Sequence, residues 1–169
     1  MSVVADVTDA GAVHDAVATI EERARPITVL VNNADSLRAI GPLWEVDPDD
    51  WWSDVRTSLG GTFNLCREVV PRMIERREGR IVTLASYVAV RPSPYQTGYA
   101  CAKVGVVSVT EALAASLAEY RIKMFAVAPG FDRDGEDSAP HGVGSWAQMA
   151  AGRGPGTSRR HRALGAADR

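Results

Sequence analysis

An α/β domain built on a parallel sheet is the fold class that the sequence predicts, and three observations predict it. Apolar runs such as Ile27–Val31 and the run within Arg80–Ser86 lack strict polar alternation, as strands covered on both faces do. Stretches with apolar residues at helical spacing separate them. The two kinds alternate along the chain, which implies parallel βαβ units with right-handed crossovers.

Taken in order, Ser2–Ala5 is a short apolar run and reads as a first strand. Thr8 or Asp9 caps the helix after it, in which Val13, Val17 and Ile20 share one face. Pro26 punctuates, and the strand Ile27–Val31 follows. After the loop "NNADSLRAIGPLWEVD", Asp47 and Pro48 make an N-cap and a first-turn proline for a helix over 48–76. Gly60 and Gly61 lie inside that helix at about 1 kcal/mol each relative to alanine. Either another backbone passes close to them or the helix is simply weak. Pro71 should bend it. Gly79 ends the charged turn, and Arg80–Ser86 reads as a buried strand. A loop rich in proline and serine leads to a helix from about Tyr99 to Tyr120, and Lys123–Pro129 reads as the last strand. Beyond Phe131, residues 132–169 hold few large apolar residues, the composition of a poorly ordered tail; its "SRRHR" offers a basic interaction segment as a second reading.

The 169 residues suit one domain, 46% apolar and 24% charged, the profile of a soluble globular protein. A net charge of −2 gives no reason to expect a nucleic-acid or anionic-membrane partner. No uninterrupted run of 18 apolar residues occurs, so no membrane span is expected, and "MSVVADVTDAG" has no secretory pattern. Cys66 and Cys101 form neither a metal pattern nor a disulfide framework, and free thiols in a reducing cytoplasm are expected.

In open parallel sheets, ligands sit beyond the C-terminal ends of the strands. Those ends carry "NNAD", Ser86 and "PGF", which should meet the start of the Tyr99 helix on one rim. Tyr99 and Lys103 stand at i and i+4, side by side on a helix. A phenol has a pKa near 10, and a neighbouring cation favours its phenolate. A tyrosine so tuned can exchange a proton with an alcohol or carbonyl oxygen, and Ser86 is placed to hold that oxygen. Tyr-x-x-x-Lys is common by chance, and a tyrosine at a helix start is often there for packing. The ordered set carries the reading: "NNA", then Ser86, then Tyr99 and Lys103, thirteen and seventeen residues beyond Ser86, then "APG".

This ordered set resembles the short-chain dehydrogenase/reductase family over about residues 1–131. The resemblance implies a partial doubly wound, Rossmann-like parallel sheet lacking the first βαβ unit, with NAD or NADP as cofactor. It implies hydride transfer between an alcohol and a carbonyl on a small molecule, with Tyr99 as acid/base. Lys103 would lower the phenol's pKa and grip the nicotinamide ribose, and Ser86 would orient the substrate oxygen. Asp6 and Val7, in "ADVTD", would meet the adenine; Asn33 and Ala34 match the family's N-N-A-G; Pro129 and Gly130 form the turn under the nicotinamide. The resemblance also implies a homo-oligomer through helices 48–76 and 98–120.

The sequence departs from the family pattern at four places. No glycine-rich phosphate-binding turn precedes the first strand. Ser58 stands where the family carries a catalytic asparagine, so it joins the expected catalytic set. Asp35 replaces the last glycine of N-N-A-G, and Asp134 replaces a threonine after the "PG" turn. The expected strand order leaves an apolar edge without a partner, which favours self-association. Two functions are therefore carried forward: an NAD(P)-dependent oxidoreductase, and a catalytically impaired remnant acting as a subunit-binding or regulatory module. The odd front and tail would fit a disrupted reading frame.

Overall fold

A computed structural model describes residues 1–129; Gly130 and the expected tail over 132–169 lie outside the described residues. Helix α1 spans Ala10–Arg23 and is capped by Asp9, whose carboxylate accepts from the Gly11 and Ala12 amides at 2.8 and 3.0 Å. Val13 and Val17 are its buried residues, on the face that the periodicity predicts. Strand β1 spans Val29–Asn32. Helix α2 spans Pro48–Val55, and Asp47 caps it by accepting from Asp49 N and Asp50 N.

The helix expected over 48–76 is continuous but not uniform. A wide π turn, Arg56–Gly60, joins α2 to helix α3, Gly61–Arg76, which runs through Pro71. The two glycines have separate causes. A Cβ on Gly61 would meet Val7 Cγ2 at 2.7 Å, so here another segment does pass close by. A Cβ on Gly60 would meet nothing within 4 Å. Past α3 the chain turns at Arg77, in the left-handed region at φ 53°, and strand β2, Gly79–Leu84, begins. Helix α4, Thr97–Leu117, continues as a 3-10 turn to Tyr120, and strand β3 spans Ile122–Val127.

The three strands form one parallel sheet in the order β1-β2-β3. Leu30, Ile81 and Met124 stand in register across it and share one core with Val13 and Val17 of α1, Val69 and Met73 of α3, and Leu117 of α4. All three of these helices therefore cover the same face. Glu21 ties two of them to the sheet: its carboxylate pairs with Arg76 at 2.8 Å and accepts from Ile27 N at 2.8 Å.

Two expectations need correction. Ser2–Ala5 is not a strand: among the described residues its backbone joins no ladder, and Val4 is almost fully exposed. β1 is not covered on both faces, because no described helix packs on the side of Val29 and Val31, which stand half-exposed. Helix α4 with its 3-10 turn is long and apolar enough, by length and composition only, to cross a membrane. It instead packs on β3 and buries Ala102, Val106 and Leu117, so its apolar character serves a protein core.

Met73 is fully buried at the centre of this core. Met73→Ala should lower the free energy of unfolding by about 2–5 kcal/mol through lost packing and the cavity left behind. Urea denaturation followed by circular dichroism measures it, with an unchanged slope expected.

Candidate active site

The C-terminal ends of the three strands meet the first turns of α4, as the strand order requires. Asn33 follows β1, Ala85 and Ser86 follow β2, and Pro129 lies just beyond β3. With Tyr99 and Lys103 they line an open cleft of about 280 Å³. The sheet end is stitched by Ala85 N donating to Val127 O at 2.8 Å.

The start of α4 is fixed against α2. Trp51 Nε1 donates to Thr97 Oγ1 at 3.1 Å, and a Cβ on Gly98 would stand 3.0 Å from the Trp51 carbonyl oxygen. Two turns on, a Cβ on Gly105 would meet Leu59 Cδ2 at 2.8 Å. Small residues thus let α4 close on the helix that carries Ser58, and this closeness sets where Tyr99 and Lys103 point.

Lys103 is the most constrained member, with only 3% of its side chain exposed. Its ammonium donates to the Leu84 carbonyl at 2.7 Å and pairs with Asp35 Oδ2 at 3.1 Å. It also sits 5.4 Å from the Tyr99 ring centroid, within cation–π range. Ser58, buried on the π turn, donates to Asp35 Oδ1 at 2.5 Å, and Ser36 N donates to the same oxygen at 3.0 Å. Ser86 caps the short turn Tyr87–Ala89, accepting from Val88 N, and lines the cleft with Tyr99.

The Tyr99 phenol is pushed above its ordinary pKa, not below it as expected. Burial is the largest cause; Ser86 works against it, and the nearby Asp35 carboxylate adds to it through charge and a hydrogen bond. The sequence expectation placed Lys103 beside the phenol as a free cation. It did not anticipate a carboxylate bonded to that cation.

Tyr99, Lys103, Ser86, Asn33 and Pro129 come together as expected, and Ser58 reaches the cleft through Asp35. Ala34, Asp6 and Val7 are not among the residues lining it. Asp6 is engaged in its own turn, accepting from Thr8 N and Thr8 Oγ1 at 2.8 Å each, and the first of these is the larger cause of its lowered pKa. Val7 packs on Gly61, and its carbonyl accepts from Asn64 Nδ2 at 2.9 Å. Gly130 lies outside the described residues.

Two further residues escaped the sequence reading. Asp54, fully buried on α2, accepts from Ser36 Oγ at 2.7 Å, Arg38 N at 2.8 Å and Ala39 N at 3.1 Å, and so fastens the loop that carries Asp35. Its only sequence signal is an acid beside two tryptophans on a helix. Asn32, buried at the end of β1, donates to Thr83 Oγ1 at 3.2 Å and Cys66 Sγ at 3.5 Å, while its own oxygen has no partner.

Comparison with known proteins agrees with this geometry. The family described as short chain dehydrogenase matches residues 1–133. The chain is 39% identical over 128 residues to the 3-oxoacyl-(acyl-carrier-protein) reductase FabG of Thermotoga maritima, covering 76% of this chain and 52% of that protein. It is 37% identical over 126 residues to the 2,3-dihydro-2,3-dihydroxybenzoate dehydrogenase of Bacillus subtilis, covering 75% and 48%. Among solved structures, a gluconate 5-dehydrogenase from Burkholderia cenocepacia in complex with NADP and tartrate superposes with a TM-score of 0.72 at 35% identity, covering 75% and 49%. An NAD+-bound xylitol dehydrogenase superposes at 0.73 with 32% identity, covering 76% and 49%. The chain thus spans about half the length of the relatives it matches.

Asp54→Ala leaves the buried Ala39 amide without its acceptor, at about 1–3 kcal/mol. Hydrogen exchange of the Arg38 and Ala39 amides should accelerate selectively, while that of the β2 amides stays as in the parent.

Proposed function

Because the chain belongs to the short-chain dehydrogenase family, we propose that it carries the proton-handling half of an NAD- or NADP-dependent oxidoreductase, interconverting an alcohol and a carbonyl with Tyr99 as acid/base. The observation that carries this reading is the convergence of Tyr99, Lys103 and Ser86 on one cleft at the C-terminal rim of the sheet. Structures similar to this chain include an NAD+-bound and an NADP-bound dehydrogenase, which supports the cofactor class.

The donor set at the rim fits the nicotinamide end of such a cofactor. Lys103 and Tyr99 offer N–H and O–H groups for ribose hydroxyls, and Asn33 and Pro129 flank the cleft floor. Among the described residues no glycine-rich turn is present to cradle the pyrophosphate, and Asp6 and Val7 lie away from the cleft. When bound, the nicotinamide supplies the hydride. The chain's own residues do the rest: Ser86 fixes the substrate oxygen, and Tyr99 Oη gives or takes its proton.

A second reading, that of a subunit-binding module, is favoured by one observation. The sheet face opposite the helices presents Val29, Val31 and Val127, each about half-exposed. A stable monomer in light scattering would count against it.

Tyr99→Phe should lower carbonyl reduction by about 10²–10⁴-fold while leaving NADH or NADPH binding, read by nicotinamide fluorescence, nearly unchanged. Turnover equal to that of the parent would remove Tyr99 from the chemistry.

A further inference from the structure

The loop after β1 carries a group that the proposed chemistry does not need. Asp35 lies between three members of the site. Its Oδ2 pairs with Lys103 at 3.1 Å, its Oδ1 accepts from Ser58 at 2.5 Å, and it lines the same cleft as Tyr99. About a third of its side chain is exposed, whereas Lys103 is almost fully enclosed. An ammonium has three N–H donors, and two of these are committed here, to Leu84 O and to Asp35.

An isolated cation beside a phenol stabilises the phenolate. A carboxylate at ion-pair distance from that cation cancels most of its field at the phenol oxygen. What remains near Tyr99 is the carboxylate itself, which lines the same cleft and whose charge disfavours loss of the phenolic proton. Ser58 and Ser36 hold the carboxylate in that position from the other side.

We propose that Asp35 is a positioning residue that neutralises Lys103 and so keeps the Tyr99 phenol in its protonated, proton-donating form. This deepens the oxidoreductase reading and rests on it. The proton passes from Tyr99 Oη to the carbonyl oxygen, which becomes a hydroxyl, while the carbonyl carbon takes the hydride that a bound NADH or NADPH would supply. Tyr99 is left as phenolate and regains a proton from solvent.

Among the described residues, few other ionisable groups stand near this point. From α2 comes Asp54, one hydroxyl away through Ser36. On the turn after β2, next to Ser86, stands Tyr87. The ends of β2 and β3 present the Leu84 carbonyl, Ala85, Ser86 and Pro129, none of which ionises near neutral pH.

The test needs neither cofactor nor substrate, so its outcome is separate from whether the chain turns over. Tyrosine labelled with 13C at Cζ is incorporated, and the Tyr99 signal is assigned with Tyr99→Phe. In Asp35→Asn and in Asp35→Gly the titration midpoint of Tyr99 should move to lower pH, and adding Lys103→Met to either should reverse the move. The midpoints of Tyr87, Tyr95 and Tyr120 should stay in place. A Tyr99 midpoint that is unchanged or higher in whichever Asp35 variant folds, as judged by circular dichroism, overturns the proposal.

Discussion

A buried ammonium organises the rim of this sheet. Lys103 is enclosed by protein, and an enclosed charge is tolerable only where its donors are matched. Leu84 O and Asp35 supply the match. The first places the ammonium at the last residue of β2, at the C-terminal rim of the sheet. The second requires the loop after β1 to fold back over α4, which Asp54 secures by accepting from Ser36, Arg38 and Ala39. Close helix packing at Gly98 and Gly105 then fixes the azimuth of α4. The site is therefore a joint product of two strands, a loop and two helices, held around one charge.

The chemistry-bearing positions were legible in the sequence because they sit at fixed offsets from recognisable elements. Tyr99 and Lys103 are one helical turn apart, and Ser86 and Pro129 follow apolar strands that periodicity marks. Asp47 and Pro48 announced α2 by cap chemistry alone. Asp35 was legible as a replaced glycine, but its partners were not. Those partners, Ser58 and Lys103, are 23 and 68 residues away in sequence, and only the fold brings them within 3.1 Å. Asp54 was silent for the same reason: a buried acid and a solvated one look alike until the N–H groups it accepts from are located.

The misreadings have one physical origin. Apolar content in a short run signals burial potential but does not say what covers it. Ser2–Ala5 is as apolar as a strand and has no ladder; Val29 and Val31 are apolar and half-exposed. Helix α4 has the hydropathy of a membrane span yet buries a lysine against Leu84. The Tyr99 pKa moves up rather than down chiefly because the phenol is partly buried, with the Asp35 carboxylate adding to it.

The π turn Arg56–Gly60 gives the long helix one more residue than a regular α-helix of the same span would hold. Asp54 and Ser58 address the Asp35 loop from α2 and from the turn itself, while Gly61 leans on Val7 at the start of α3. Excising a single residue there would relax the coil to ordinary pitch with α2 and α3 still in phase, because the wide turn absorbs the extra residue. Ser58 lies on the segment that would tighten, so its bond to Asp35 is the contact that such a shortening reaches first.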